Sequence, residues 1–425
     1  MTRVLKIFSF VVISLFTLSI FGWMSYHISE GDKKFGFLTE PVKFMYSFPD
    51  LFTESVEEAK TFALPKTFIK TPTDFKTINK LESDFIVLSA YSDTSNSRTV
   101  ALINLKNDSI LHKWTFGGKI EEHKRIWNPL LLPEKNLVYS FNGFSLTRVD
   151  SMSNVIWDQN ELWPHHSMNI DSHGDIWVCT YAPVWYATGF YKLDGKSIFF
   201  KDEYITKIDS ETGEILFQKS IAEILKENNL ANHLLKSGNI WDPIHSNDIQ
   251  PALKTTPYYK KDDVFISAKS LSAILHYRPK TNELIDVIEG PFSDQHDVDF
   301  YNDTSLVFFN NNFNAVSTKE FRSPPKDSTR LLFAGDLYSQ IMCYNFMDES
   351  FSFIGDSIFK ANKIFTVSEG LVEFYEDDAY FVEEQNSGIL WIIKDDEVIY
   401  KNVLKSIHKG FHNLPNWTRI IEVYD

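Results

Sequence analysis

Six copies of a strand–turn–strand pattern constrain the fold of this chain more than any other feature. Each copy has an apolar run, a short polar turn and a second apolar run, and successive copies begin 45 to 69 residues apart. In the copy Ile205–Leu216 the turn ends at Gly213, and glycine adopts positive φ more readily than other residues. The other five copies are Ala101–Leu111, Leu146–Ile156, Ile274–Ile285, Ile341–Phe351 and Leu390–Tyr400. The pattern predicts six antiparallel hairpins.

A repeat of this length is typical of propeller blades with loops of variable size. One more short strand precedes most of the hairpins, as at Asp175–Thr180, Val264–Ser267 and Leu306–Phe309. The aromatic content of 15% also favours strands over helices. We therefore predict an all-β fold, a six-bladed β-propeller over residues 84–425. A set of independent β-sandwiches is the alternative interpretation.

An apolar segment stands near the start of the sequence. Arg3 and Lys6 precede the uncharged run Ile7–Met24, whose 18 residues are close to the minimum that spans a bilayer as a helix. Positive charge before the run places the N-terminus in the cytoplasm. No small-x-small cleavage site follows. We predict a transmembrane signal anchor over residues 1–28 and a stalk and lead-in over residues 29–83; a cleaved signal peptide and a buried helix are the alternatives.

Charge and cysteine content limit the classes of partner. The formal net charge is -15, which argues against a nucleic-acid partner because phosphate-backbone binding requires a basic surface. Small-molecule ligands remain compatible with this charge. The chain has two cysteines, Cys179 and Cys343, so at most one disulfide can form, and the sequence leaves both their pairing and the oligomeric state open.

Three histidines occupy matching positions in successive units. His166, His245 and His296 each precede the first strand of their unit. Because the first strand of a propeller blade is the innermost, equivalent residues of neighbouring blades are expected to meet at the mouth of the central channel. We predict a polar pocket there, with His165 as a possible substitute for its neighbour His166.

The residues around these histidines resemble one known family. The run Pro243–Asp248 contains His245-Ser-Asn247, then come Ser267-Ala-Lys269-Ser270 and Gln295-His296. This order is similar to that of the bacterial aryl sulfate sulfotransferases, in which His-x-Asn is followed by Ser-x-Arg with a nearby serine and then by Gln-His. The resemblance covers about residues 163–312, and the family has a six-bladed fold.

The resemblance implies an activity and a set of catalytic residues. Members of the family move a sulfuryl group from a phenolic sulfate ester to a phenol through a sulfated histidine, without a nucleotide sulfate donor and without a cofactor. By the match, His296 is the nucleophile, and His166 and His245 hold the sulfate oxygens and serve the phenolic oxygens. Lys269 stands where the family has arginine and is the expected cationic clamp.

The resemblance also implies substrate contacts and a location. Asn247, His165 and Asn310 are the expected substrate-binding residues; the family commonly has Phe-Asp-Asn-Gly where this chain has Phe309-Asn-Asn-Asn312. The expected location is the bacterial inner membrane, crossed once, with the propeller in the periplasm or outside the cell. The alternative function is a catalytically degenerate propeller that binds an anionic or aromatic ligand, or a partner protein, in its channel. Three histidines can also hold zinc or copper, although we predict no metal.

Overall fold

The strand–turn–strand units fold as antiparallel hairpins. A computed structural model of the chain describes residues 2–29, 35–47, 64, 67–94, 97–117, 125–141, 144–193, 195–313 and 338–423. Within each predicted unit the two apolar runs are neighbouring strands. Ile274, for example, lies opposite Ile288, and Ile392 lies opposite Tyr400. The prediction of six hairpins is confirmed.

The described residues form 27 strands, four α-helices and four short 3-10 helices. In chain order the strands are β1 (Phe68–Lys70), β2 (Ile78–Asn79), β3 (Phe85–Thr94), β4 (Ser97–Asn104), β5 (Ser109–Gly117), β6 (Ile126–Leu132), β7 (Asn136–Phe141), β8 (Phe144–Val149), β9 (Val155–Gln159), β10 (Pro164–Ile170), β11 (Ile176–Leu193), β12 (Lys196–Ile208), β13 (Ile215–Ser220), β14 (Ser246–Pro251), β15 (Val264–Ala268), β16 (Ala273–Arg278), β17 (Glu283–Glu289), β18 (His296–Asn302), β19 (Ser305–Asn310), β20 (Gln340–Asn345), β21 (Ser350–Ile354), β22 (Leu371–Glu376), β23 (Ala379–Glu384), β24 (Ile389–Lys394), β25 (Glu397–Lys405), β26 (Phe411–Asn413) and β27 (Asn416–Val423). The α-helices are α1 (Thr2–Ser29), α2 (Thr39–Ser47), α3 (Ile221–Glu227) and α4 (Asp356–Asn362), and the 3-10 helices are Gly36–Leu38, Pro133–Lys135, Ala231–Lys236 and Lys269–Leu271.

Five antiparallel sheets have four strands each. Their strand orders are β6-β7-β8-β9, β10-β11-β12-β13, β14-β15-β16-β17, β18-β19-β20-β21 and β27-β3-β4-β5. The remaining hairpin unit lies in a seven-stranded sheet, where β22-β23-β24-β25 continue into β26 and β1, and β2 pairs with β25. The all-β propeller fold is therefore present, but with five four-stranded blades instead of the six that we predicted. The count was wrong because the additional strands extend the remaining sheet beyond the size of a blade.

The first strands of the sheets lie next to one another around a common axis. Contacts join neighbouring first strands in the order β6, β10, β14, β18, β22 and β27, and β27 in turn contacts β6. The contacts therefore form a closed ring. Radial repetition of this kind leaves few open sheet edges, which otherwise pair with other chains.

Strands from distant parts of the sequence close the ring. β27 supplies the innermost strand of the sheet that contains β3, β4 and β5, and Asn416 lies opposite Ala90 in that pair. β1 and β2 come from the predicted lead-in, residues 29–83, and both are paired in the seven-stranded sheet. The fold thus joins the two ends of the propeller by main-chain hydrogen bonds.

Apolar side chains fill the spaces between neighbouring sheets. Phe265 and Ile274 of one sheet are in the same buried cluster as Phe308 and Met342 of the next. All four side chains are completely buried. Since burying a large apolar side chain stabilises a fold by about 1.5–3 kcal/mol, these clusters hold adjacent blades together.

Buried carboxylates connect the first strands to one another. Asp248 on β14 accepts a hydrogen bond from the main-chain N–H of Val298 on β18, at 2.8 Å. Asp297 on β18 does the same for Val372 on β22, at 2.7 Å. Glu383 accepts from the N–H groups of two consecutive residues, 417 and 418, at 2.9 and 2.8 Å. Residues 298, 417 and 418 lie at register shifts of β18 and β27, where regular pairing is interrupted and buried N–H groups need other acceptors.

The N-terminal residues form a separate unit, Met1–Lys66, while Thr67–Asp425 form a second one. Within the first unit, α1 contains the segment Leu5–Ile28, which has 24 residues and a mean hydropathy of 2.1. By length and composition this helix is suited to cross a membrane or to act as a signal sequence.

A pH-dependent stability difference is expected from Glu383. Burial raises the pKa of this carboxyl to about 7, although hydrogen bonds from residues 417 and 418 oppose the rise. A raised folded-state pKa adds stability that is fully present below the unfolded-state pKa and is lost as pH rises through 7. The free energy of unfolding of the natural protein, relative to Glu383→Gln, should therefore fall by about 1–3 kcal/mol between pH 5 and pH 8.

Urea denaturation of the detergent-solubilised full chain measures this difference at each pH. Glu161→Gln is the matched control, because Glu161 is an exposed carboxylate. The same stability difference between the Glu383→Gln variant and the natural protein at both pH values would contradict the prediction.

Candidate active site

Three histidines from three neighbouring sheets lie together at the ring of first strands. His166 lies on β10, His245 immediately precedes β14, and His296 is the first residue of β18. The Nε2 atoms of His166 and His245 are 3.2 Å apart. The ring centroids of His166 and His296 are 6.0 Å apart. The convergence that we expected from the matching positions in the repeat is present.

Unusual backbone conformations direct these side chains. His166 has a φ of 57° and His245 a φ of 48°, and Asp297, next to His296, has a φ of 57°. Each of the three first strands also shifts register at this point, after His165 on β10, after Ser246 on β14 and after His296 on β18. Non-glycine residues seldom adopt such angles, and bulges of this kind redirect side chains. The same local distortion thus turns each histidine towards the shared position.

The hydrogen bonds of His296 fix its tautomer. Its Nδ1 lies 2.7 Å from Oδ1 of Asn311 and 3.0 Å from the carbonyl oxygen of Asp294. The Asn311 amide donates to the carbonyl oxygens of Thr366 and Glu369, so its oxygen must face the histidine. Because both partners accept, Nδ1 carries the proton and Nε2 carries the lone pair. The N–H of Glu369 donates weakly to that Nε2, at 3.3 Å.

His296 is held in its neutral form. Burial lowers its pKa to about 3, and the positive charge of Lys269 acts in the same direction. Burial, together with the neighbouring His165, His245 and His296, likewise puts the pKa of His166 well below its ordinary value. At neutral pH the lone pair of His296 is therefore available for attack on an electrophile.

His245 has a different environment, because a carboxylate faces it. Its Nδ1 lies 2.7 Å from Oδ2 of Asp242, and Lys201 Nζ lies 3.4 Å from the same oxygen. Burial raises the pKa of Asp242, but the hydrogen bond from His245 and the charges of His245 and Lys201 outweigh this, so the net pKa is below the usual range. Asp242 is therefore an anion at neutral pH.

Among the described residues, one group has the spacing of a metal site. Ligand atoms of Glu203, Asp242 and His245 lie within 4.8 Å of one another. The ammonium group of Lys201 lies 3.7 Å from Glu203 and 3.4 Å from Asp242. A metal ion here would meet the repulsion of this partly buried ammonium, and Lys201 already supplies positive charge to both carboxylates.

Lys269 lies close to the histidines. It begins the short 3-10 helix after β15, and its main-chain N–H donates to the carbonyl oxygen of His245 at 3.1 Å. Its Nζ is 3.7 Å from Oδ2 of Asp294, two residues before His296. The cation that we predicted as a clamp is thus near the expected nucleophile.

The three predicted substrate-binding residues make contacts within the protein. Asn247 is completely buried and donates to the carbonyl oxygen of Gln295 at 2.7 Å. Asn310 accepts from the N–H of Ser293 at 3.0 Å and donates to Gln340. The ring of His165 stacks on Tyr181, with centroids 4.1 Å apart, and its Nε2 lies 3.8 Å from Glu203. Their role in binding substrate stays a prediction.

Several residues at the site were not identified from the sequence. The ring of Trp127 is nearly parallel to that of His166, with centroids 6.3 Å apart, and Arg125 lies over the tryptophan and pairs with Glu369. Asn311 and Asp242 are the direct partners of His296 and His245. Trp127 is the last paired residue before the interruption of β6, as His165 is in β10, and Asn128 and His166 lie within the two interruptions.

Solved structures offer only distant similarity. A protein of unknown function from Bacteroides caccae is 10% identical, with 75% of this chain and 93% of that chain covered and a TM-score of 0.45. A chain of a nidogen/laminin complex is 8% identical, with coverages of 79% and 97% and a TM-score of 0.42. Kuenenia stuttgartiensis hydrazine synthase is 9% identical, with coverages of 76% and 80% and a TM-score of 0.41. No curated protein matches the chain.

A protein-family comparison gives a more direct result. The model of the arylsulfotransferase (ASST) family matches residues 128–400, which is more than half of the 425-residue chain. The matched range contains the three histidines, Lys269 and Asn311. The chain therefore belongs to the arylsulfotransferase family.

Proposed function

We propose that this protein transfers a sulfuryl group from a phenolic sulfate ester to a phenolic acceptor through a sulfated histidine, without a nucleotide sulfate donor. One observation carries the proposal. His296 is neutral and its ring lies 6.0 Å from that of His166, and Asn311 and the carbonyl oxygen of Asp294 hold the proton on its Nδ1. A fixed, uncharged imidazole is a suitable nucleophile for a covalent intermediate.

In the first half of the reaction the Nε2 lone pair of His296 attacks the sulfur atom. An N–S bond forms and the bond between sulfur and the aryl oxygen breaks. The released electron pair stays on the phenolic oxygen, which takes the extra proton that the pair His166 and His245 carries at the start of the cycle and leaves both imidazoles neutral. The products are a free phenol and a sulfated His296 whose Nδ1 still donates to Asn311.

The second half reverses these events with another phenol. The acceptor hydroxyl returns a proton to the histidine pair, and its oxygen attacks sulfur. The N–S bond breaks, and its electron pair returns to Nε2 of His296. Every proton and electron pair is then in its starting position, so the cycle needs no cofactor.

The cation of Lys269 supports binding and transfer of the anionic group. It lies near Asp294 and His296, where positive charge opposes the negative charge that spreads over the sulfuryl oxygens. Lysine offers a point charge, in contrast to the two-pronged guanidinium of arginine. The N–H of Glu369, now directed at Nε2 of His296, is a second donor beside the reacting atoms.

A binding protein without turnover is the second candidate. Lys269 and Asn310 stand where the family resemblance leads us to expect arginine and aspartate, and the N–H of Glu369 points at Nε2 of His296 from 3.3 Å. Such a protein would hold an anionic or aromatic ligand, or a partner protein, in its channel. The enzyme is favoured because the carboxylate at His245 has no function in passive binding of an anion.

We further propose that α1 anchors the protein in the bacterial inner membrane. Its apolar segment Leu5–Ile28 is long enough to cross the bilayer, and Arg3 precedes it. The charge bias places the propeller in the periplasm or outside the cell. Phenolic sulfates and phenols from the surroundings would then reach the site without entering the cytoplasm.

Replacement of the nucleophile should abolish transfer. With p-nitrophenyl sulfate as donor and phenol as acceptor, we expect His296→Ala to lose nitrophenolate release by at least about a thousandfold, because no covalent intermediate can form. Mass spectrometry of the natural protein, quenched with donor alone, should find one added sulfuryl group on His296. His173→Ala is the control, since that histidine is exposed. Full activity in His296→Ala would eliminate the assigned nucleophile.

Two substitutions of Lys269 test its charge. Lys269→Ala should lower kcat/KM for p-nitrophenyl sulfate by about tenfold to a hundredfold, because the transferred group loses a neighbouring cation. Lys269→Arg should retain or raise the rate, since it keeps the charge and adds donors. Steady-state kinetics of the three proteins measures both effects, and equal rates for all three would refute the role.

A further inference from the structure

A carboxylate distinguishes His245 from the other two histidines. Its Nδ1 lies 2.7 Å from Asp242, whereas the Nδ1 partners described for His296 are the neutral oxygens of Asn311 and residue 294. Nε2 of His245 faces Nε2 of His166 at 3.2 Å, so a single proton is shared between those two nitrogens. An anion at one end of the imidazole and a proton at the other are what a proton donor requires.

Two residues of β12 hold the loop that carries Asp242 and His245 in place. The main-chain N–H of Lys201 donates to the carbonyl oxygen of Trp241 at 2.8 Å, which ties the loop before His245 to the strand. Lys201 Nζ contacts Asp242 and also lies 3.9 Å from the centre of the Tyr181 ring. Glu203, completely buried, accepts from the main-chain N–H and the hydroxyl of Ser246, the residue after His245.

Charged and titratable groups surround His245 on every side. Asp242 belongs to its own loop, Lys201 and Glu203 come from β12, and His165 and His166 come from β10. Lys269 follows β15, and His296 begins β18. Of these groups Asp242 is the one within hydrogen-bond distance of Nδ1, and Lys201 keeps it oriented. Lys201 and Glu203 lie farther from the imidazole of His245 than Asp242 does.

We infer that Asp242, oriented by Lys201, is a positioning residue that makes His245 the proton donor to the leaving phenolate and the proton acceptor from the incoming phenol. This inference rests on the proposed sulfuryl transfer and assigns the proton to one of the two histidines. A fixed carboxylate sets the tautomer of the imidazole and stabilises its cation. His296, which faces neutral oxygens, keeps the role of nucleophile.

The inference has a consequence that depends on the donor. A good leaving group such as p-nitrophenolate departs without a proton, whereas 4-methylphenolate, a much stronger base, needs one as its bond to sulfur breaks. Loss of the proton donor should therefore lower kcat/KM mainly for the donor with the poorer leaving group. A merely structural defect should lower both rates by the same factor.

The experiment compares the two donors in Asp242→Asn, with phenol as acceptor and full-length protein in detergent. We expect kcat/KM to fall about a hundredfold or more for 4-methylphenyl sulfate and less than about tenfold for p-nitrophenyl sulfate. Asp303→Asn, at an exposed aspartate, is the control. Equal losses with both donors would overturn the inference.

A measurement independent of turnover completes the test. In protein labelled with ¹⁵N-histidine, a strongly deshielded Nδ1 proton assigned to His245 should be present in the natural protein and lost in Asp242→Asn. An unchanged signal in the variant would overturn the inference. The result separates the two proposals, because His296→Ala tests the nucleophile and leaves the His245 signal in place.

Discussion

Hydrogen bonds from main-chain N–H groups to buried carboxylates are the interaction on which this propeller depends. First strands such as β18 and β27 shift register near the axis, and the shift interrupts the regular ladder. Asp248 and Glu383 accept N–H groups at these shifts, and Asp297 accepts the N–H of Val372 in the neighbouring sheet. An unpaired buried N–H would cost about 1–3 kcal/mol, so the hydrogen bonds to the carboxylates offset the energetic cost of the distortion. The same contacts join adjacent blades and therefore fix their relative positions.

The site is a product of that distortion. His166 and His245 adopt positive φ, a conformation that costs energy and persists where the surroundings enforce it. Glu203 provides one enforcing contact, at Ser246 beside His245. The carboxylates of the fold and the imidazoles of the site are thus parts of one network. The network fixes the positions of the imidazoles, so neighbouring histidines can have different hydrogen-bond partners and different roles.

The sequence allowed prediction of the local features. The hairpins follow from alternating apolar runs and turn residues that are close together in the chain. The convergence of the histidines follows once the repeat is recognised. The seven-stranded sheet and the position of β27 depend on pairing between residues more than 300 apart, as for Asn416 with Ala90, and no local pattern encodes it. Asp242 and Asn311 were missed because their importance lies in contacts with histidines, which residue type alone does not reveal.

The pairing of β27 with β3 has a consequence for how the protein is made. Residues of β3 leave the ribosome long before those of β27, so the inner edge of that sheet lacks its partner until β27 has been synthesised. An exposed strand edge can recruit other chains. Final closure of the ring is thus a late event during biogenesis, and the nascent domain has a period in which protection of that edge determines whether it matures or aggregates.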